Sequence, residues 1–257
     1  MHEMNLSEAA PLVIGATGGS GTRVIARIAR HAGYELGTHL NSAEDALEFL
    51  DFHDRWINRL VRAGSLPADA TARMECDFRE VLARHRAGFE SAPRWGWKAP
   101  RSIYFVPFFR AQFPRMRFIH VLRDGRDMAF SKNQNQLRKH GAALLNWRER
   151  WLAPLPIRSL LVWERVNLRA AAFCEAQMRD RYLVVRFEDL CAEPAATAER
   201  LLHFLEAPTD GSADAAGEVV PPKSLGRWRT QPTALTPRFQ NTATGALRKF
   251  GYLATTP

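Results

Sequence analysis

The apolar run Pro11-Leu12-Val13-Ile14 breaks directly into Gly15-Ala16-Thr17-Gly18-Gly19-Ser20-Gly21, and helical spacing begins at Thr22. A short apolar run that ends in glycines reads as a buried strand. Val24, Ile25, Ile28 and Ala29 then recur at the spacing of a helix face. Strand, glycine loop and helix form the opening unit of many nucleotide-binding α/β folds. Glycines let backbone N–H groups close around an anion, and the start of the helix adds a partial positive charge. Ser20 and Thr22 add hydroxyl donors. The loop therefore reads as an anion site, and the competing reading is a tight turn that only packs strand on helix.

The alternation continues along the chain. Segments 94–98, 117–122 and 182–187 read as further strands. Helices are predicted over 42–62, 69–89, 102–112, 126–136, 158–178 and 194–205. Residues 207–245 are rich in Pro, Gly, Thr and Ala and read mostly as loop. Strands alternating with helices predict a parallel sheet flanked by helices on both faces. No composition shift marks a boundary, so one domain over 1–257 is expected.

With 46% hydrophobic and 25% charged residues, disorder is excluded as the main state. No apolar run approaches the ~20 residues that span a bilayer, so no stable membrane insertion is expected. Residues 1–10 carry Glu3 and Glu8 and lack a basic start before an apolar stretch, so a secretory leader is not expected. Cys76, Cys174 and Cys191 are odd in number and widely spaced. They suit neither a disulfide framework nor a metal site, and the cytoplasm is the expected compartment. The net charge of +9 calls for an anionic partner, such as nucleic acid, acidic lipid or a polyphosphorylated small molecule. The competing explanation is an overall preference for arginine codons. The basic residues are spread along the chain without a stripe of stacking aromatics, so a nucleic-acid partner is not expected.

Three ligands compete for the glycine loop. A magnesium nucleotide site wants G-x-x-x-x-G-K-[ST], and this loop has no lysine. Gly15, Gly18 and Gly21 form G-x-x-G-x-x-G, and Gly-Ala-Thr-Gly resembles the loop of NAD(P)-binding reductases. That reading lacks a clear second strand with its ribose-reading residue, and no Tyr-x-x-x-Lys occurs in the chain. It stays as the alternative. The third reading needs the segment after strand 117–122, which is Leu122-Arg123-Asp124-Gly125-Arg126-Asp127-Met128-Ala129-Phe130-Ser131. A guanidinium at the strand end and a hydroxyl two turns into a helix could converge on one phosphate.

Ser20-Gly21-Thr22 resembles the end of the 5′-phosphosulfate loop of sulfotransferases, which use 3′-phosphoadenylyl sulfate (PAPS). The segment from Leu122 resembles that family's 3′-phosphate motif, with Arg123 and Ser131 eight residues apart in the matching places. Tyr182-Leu183-Val184-Val185-Arg186-Phe187-Glu188-Asp189-Leu190 is similar to a later strand of the family, with Phe187 where a ring lies on the adenine. Lys223-Ser224-Leu225-Gly226-Arg227-Trp228-Arg229 is similar to the loop that closes over the 3′-phosphate, with Lys223, Arg227 and Arg229 unranked. The resemblance runs from Pro11 to about Arg229. It implies a P-loop-like α/β fold, PAPS as sulfuryl donor and no metal. It also implies a small-molecule or carbohydrate acceptor, bounded by a helical insertion over about 41–93, and a cofactor-closing loop over about 207–245. The cofactor residues implied are Gly18, Gly19, Ser20, Gly21, Thr22, Arg23, Arg123, Ser131, Phe187, Lys223, Arg227 and Arg229.

The sequence departs from the family pattern at two catalytic places. The loop usually carries Lys or Arg before Ser-Gly-Thr, and Gly19 stands there. Lys98, at the end of Trp95-Gly96-Trp97-Lys98-Ala99-Pro100-Arg101, is the substitute cation, and Arg23 is the second choice. The His that many members place after that lysine is absent, because Pro100 stands there. Asp45 is preferred as base, then Glu44, with His39 also able. Glu44 and Asp45 equally fit the first turn of a helix capped by Ser42. Phe49, Phe52, Trp56, Trp147 and Trp151 are candidates to line the acceptor pocket.

Overall fold

The computed structural model describes residues 5–210, 212–217 and 219–254. Glu3 and the rest of 1–4 lie outside that range. Four strands form one parallel sheet: β1 (Leu12–Ala16), β2 (Gly96–Lys98), β3 (Arg117–Leu122) and β4 (Tyr182–Arg186), in the order β2-β1-β3-β4. From β1 the chain runs through α1 (Thr22–His31), α2 (Phe49–Ala63) and α3 (Ala68–Arg86) to β2. It then crosses through α4 (Val106–Gln112) to β3, on the other side of β1. Strand order reverses there, and parallel sheets open a crevice at the carboxyl ends of the strands that flank such a reversal. After β3 come α5 (Gly125–Ala129), α6 (Asn135–Leu144), α7 (Trp147–Leu152) and the long α8 (Leu155–Gln177), then β4. The remainder is α9 (Phe187–Ala192), α10 (Pro194–Phe204), α11 (Ser212–Gly217), α12 (Pro237–Gln240) and α13 (Thr244–Lys249).

Side chains alternate across β1 and so feed two cores. Val13 joins an aromatic cluster with Phe49, Phe78, Trp97, Phe109 and Phe118, while Leu12 and Ile14 join α1 and α10 through Ile25, Ile28 and Leu201. The approach of β2 to β1 requires glycine at position 96, because a Cβ there would sit 1.9 Å from the Leu12 carbonyl oxygen.

Three predicted elements differ. The helix expected over 42–62 begins only at Phe49. Asn41 Oδ1 accepts from the amides of Ala43 and Asp45, so a side chain takes the donors that helix start would have used. The helix expected over 126–136 is split. Gln134 Nε2 donates to the Met128 and Ser131 carbonyl oxygens, at 3.1 and 2.8 Å, and so satisfies the end of α5. Residues 207–245 contain short helices in place of continuous loop.

His120 on β3 is fully buried, with Nδ1 2.9 Å from the Tyr182 hydroxyl and Nε2 2.8 Å from Asn167 Oδ1. Burial pushes its pKa down to about 4, and does the same at His140 with help from the Arg101 charge. Between pH 4 and about 6.5 the unfolded chain binds more protons at these two sites than the folded one, so stability rises with pH there. Urea midpoints measured across that window should climb with pH, and His120→Gln should flatten the climb.

Candidate functional site

Gly19 and Gly21 adopt φ of +85° and +82°, which turns the loop after β1 into a concave strip of backbone. None of the amides from Gly18 to Arg23 donates a hydrogen bond to another described residue. They are a row of free donors at the start of α1, the arrangement that holds anions. Ser20 Oγ donates to the Thr17 carbonyl at 2.6 Å and stiffens the turn. Phe187, the first residue of α9, packs its ring on Gly21 so closely that a Cβ there would fall 2.2 Å from it. The loop faces a cleft of about 470 Å³ whose walls include Arg23, Asp45, Lys98, Arg123 and Phe187.

Lys98 ends β2 with its side chain 2% exposed. Nζ donates to Asp45 Oδ1 and to the Ala43 carbonyl, both at 2.5 Å, while the Lys98 carbonyl accepts from the Ala46 amide at 2.9 Å. The lysine thus clamps segment 43–46 from both its ends. Burial pushes its pKa down from the ordinary value, and the Asp45 carboxylate opposes that shift. Asp45 Oδ2 accepts from Asn41 Nδ2 at 3.2 Å.

Glu44 points elsewhere. With φ +64°, it is held by Arg27 at 2.8 Å and by Arg30, both on α1. Burial raises its pKa, but the bonds from Arg27 and Arg30 outweigh that and leave it below the usual carboxylate value. Its position in an arginine fork explains it as a structural pair and separates it from the cleft. His39 is largely exposed and faces Glu48 at 3.5 Å.

Arg123 leaves the end of β3 into the cleft and is buried. One terminal nitrogen donates to the Ser224 carbonyl at 2.7 Å and to Ser224 Oγ at 3.0 Å, while Nε has no partner among the described residues. Asp127, one turn along α5, is 1% exposed and accepts from the backbone amides of Gly226 and Trp228 at 2.8 and 3.2 Å. That carboxylate ties the segment around 224–228 to the end of β3. Arg126 lies over the Trp228 ring at 4.0 Å and reinforces the tie. Arg227 sits close enough to Arg123 for the second charge, after burial, to lower its pKa.

A second cavity, of about 260 Å³, adjoins the cleft. Gly18, Asp45, Pro100 and Asn133 line both. The second cavity extends from Asp45 toward His53 on α2, Gln136 on α6 and Trp163 on α8.

The model of the sulfotransferase family matches residues 11–211. The chain belongs to the sulfotransferase family. Its fold is similar to the sulfotransferase domain of the Synechococcus PCC 7002 olefin synthase, with 16% identity, TM-score 0.53, and coverage of 99% of this chain and 100% of that one. It is also similar to a Mycobacterium avium sulfotransferase (14%, TM-score 0.56, covering 96% and 79%). A third likeness is a sulfotransferase from Alicyclobacillus acidocaldarius (16%, TM-score 0.53, covering 96% and 98%). The P-loop-like parallel sheet flanked by helices is common to this family's fold.

Within this sulfotransferase the cleft gathers Gly18, Gly19, Gly21, Thr22, Arg23, Asp45, Lys98, Arg123 and Phe187. Ser20 stands beside them, turned onto Thr17. Ser131 does not join them. It follows the break after α5, where its Oγ accepts from the Asn133 amide at 3.2 Å. Lys223 is exposed, and Arg229 lies over the Trp228 ring at 5.4 Å, so of the three basic candidates only Arg227 approaches Arg123. Phe49, Phe52 and Trp56 belong to the aromatic core, and Trp147 and Trp151 stand in solvent, so none of the five lines the second cavity. Asn41, Asp127, Asn133 and Ser224 carry site geometry that sequence reasoning missed. Only Asp127 had a signal, its place four residues after Arg123.

Gly21→Ala combines a left-handed backbone with a clash against Phe187 and should cost about 1–3 kcal/mol in denaturant unfolding. Gly18→Ala has only the flexible Gln136 side chain within 4 Å, at 3.6 Å, and should stay within about 0.5 kcal/mol of the parent.

Proposed function

We propose that this sulfotransferase transfers a sulfuryl group from PAPS to a hydroxyl or amine of a small-molecule or carbohydrate acceptor. The observation that carries the reading is the shared wall: Asp45 lines both the cleft that fits the donor and the cavity that would take the acceptor, with Lys98 bound to it. The residues fit an anionic nucleotide donor. Among the described residues the amides from Gly18 to Arg23 and the Nε of the buried Arg123 have no partner. PAPS supplies the activated sulfuryl group when bound.

The roles of the chain's own groups follow from position. The glycine-loop amides and Thr22 would hold the 5′-phosphosulfate, Arg123 and Arg227 the 3′-phosphate, and Phe187 the adenine. Lys98, buried and fixed by Asp45 and the Ala43 carbonyl, would supply an ammonium to the charge that develops on the leaving oxygen, and a preorganised charge in a buried site acts without reorganising. Asp45 would take the proton of the acceptor group, held in place by Lys98 on one oxygen and Asn41 on the other. Glu44, committed to two arginines, is not assigned to that step. From the insertion, segment 41–48 and α2 would bound the acceptor side together with α6 and α8, and the 224–228 turn would close the donor side. The division into one domain over 1–257, with the insertion and closing loop so placed, belongs to the same proposal.

Adenosine 3′,5′-bisphosphate at ~100 times its Kd should stabilise the protein by about 2.7 kcal/mol, read as a rise in Tm. Neither NADPH nor ATP with magnesium should do so. A rise with NADPH alone would return the glycine loop to a reductase-like dinucleotide site. Arg123→Ala should abolish the bisphosphate shift. Asp45→Asn should keep the shift and, once an acceptor is in hand, lower kcat by about 10²–10⁴-fold.

A further inference from the structure

Between residues 147 and 155 four large apolar side chains face solvent. Trp147 is 63% exposed and Trp151 77%, and Leu152 and Leu155 accompany them. No residue of α7 is buried, yet the helix is firmly started. Asn146 and Glu149 form a reciprocal cap with bonds of 2.8 and 3.0 Å, and Glu149 is held again by Arg165 at 2.8 Å. A preformed helix that presents tryptophan and leucine to water has an unmet hydrophobic demand.

The charges around the patch indicate what meets it. Arg148, Arg150 and Arg238 are exposed, and Arg238 donates to the Leu152 carbonyl at 3.3 Å. Glu149 is the one acid between 147 and 158, and it is engaged in the cap and the Arg165 fork. A second copy of this chain would bring arginines against arginines. An anionic lipid surface satisfies both components, because tryptophans settle at the headgroup level and exposed arginines pair with lipid phosphates. No helix among the described residues is long and apolar enough to cross a membrane, so the contact would be peripheral.

The patch also adjoins the second cavity. Leu155 and Ser159 share a face of α8, four residues or about 6 Å apart, and Ser159 lines that cavity. We propose that α7 and the start of α8 seat this protein on an anionic lipid surface, with the second cavity next to the membrane. On the reading given under Proposed function, the acceptor is then an amphiphile that offers its polar head at the interface.

The test is cosedimentation of the full chain with vesicles of phosphatidylglycerol and phosphatidylcholine, against vesicles of phosphatidylcholine alone. Binding should favour the anionic vesicles and weaken as salt rises. W147A/W151A should reduce partition at least tenfold with an unchanged Tm and an unchanged shift with adenosine 3′,5′-bisphosphate. R148E/R150E should remove the preference for anionic vesicles. Equal partition of W147A/W151A and parent, or no partition at low salt, would overturn the proposal. So would a concentration-dependent dimer abolished by W147A/W151A, which would make the patch an interface between copies. The bisphosphate shift reads the donor site independently, so failure on vesicles leaves the sulfotransferase reading standing.

Discussion

The site depends on one buried ammonium. Lys98 reaches the carboxyl end of β2 inside the protein and cannot rest there without acceptors, because an unpaired charge out of water is strongly disfavoured. Segment 43–46 supplies them through the Ala43 carbonyl and Asp45, and is itself secured by the bond from the Ala46 amide to the Lys98 carbonyl. That exchange orients Asp45 toward both cavities and turns Glu44 the other way, onto α1. The lysine therefore acts first on the architecture, by deciding which carboxylate stands at the wall between cleft and cavity.

A second carboxylate does similar work at the other end of the cleft. Asp127 holds the amides of Gly226 and Trp228, 99 and 101 residues away in sequence, and places Ser224 against Arg123. The end of β3 thus carries both a buried guanidinium facing the cleft and the tether for the segment beside it. Arg123 bonded to Ser224 therefore joins the end of β3 directly to that segment.

Much of the fold was legible because it rests on local signals. The apolar run 11–14, the glycines after it and the runs at 117–122 and 182–187 became the parallel strands expected of them. Where the sequence misled, a distant or polar partner had overridden a periodicity. Asn41 drew amides from the helix expected to start at Ser42, and Gln134 ended α5 early, which left Ser131 outside a helix. The aromatics at 49, 52 and 56 have helical spacing whether they line a pocket or fill a core. The contacts of Phe49 with Trp97 and Phe78 placed them in the core.

By itself the sequence determined the strand–glycine–helix opening, a glycine loop without a lysine, and the order of motifs that identifies the family. These properties reside in residues adjacent in the chain, where backbone freedom and side-chain type act over a few ångströms. Tertiary structure alone decided which carboxylate meets Lys98, which of Lys223, Arg227 and Arg229 approaches Arg123, and that two tryptophans stand in water. Each of those choices depends on which burial demands are met by groups remote in sequence, and local spacing carries no record of them.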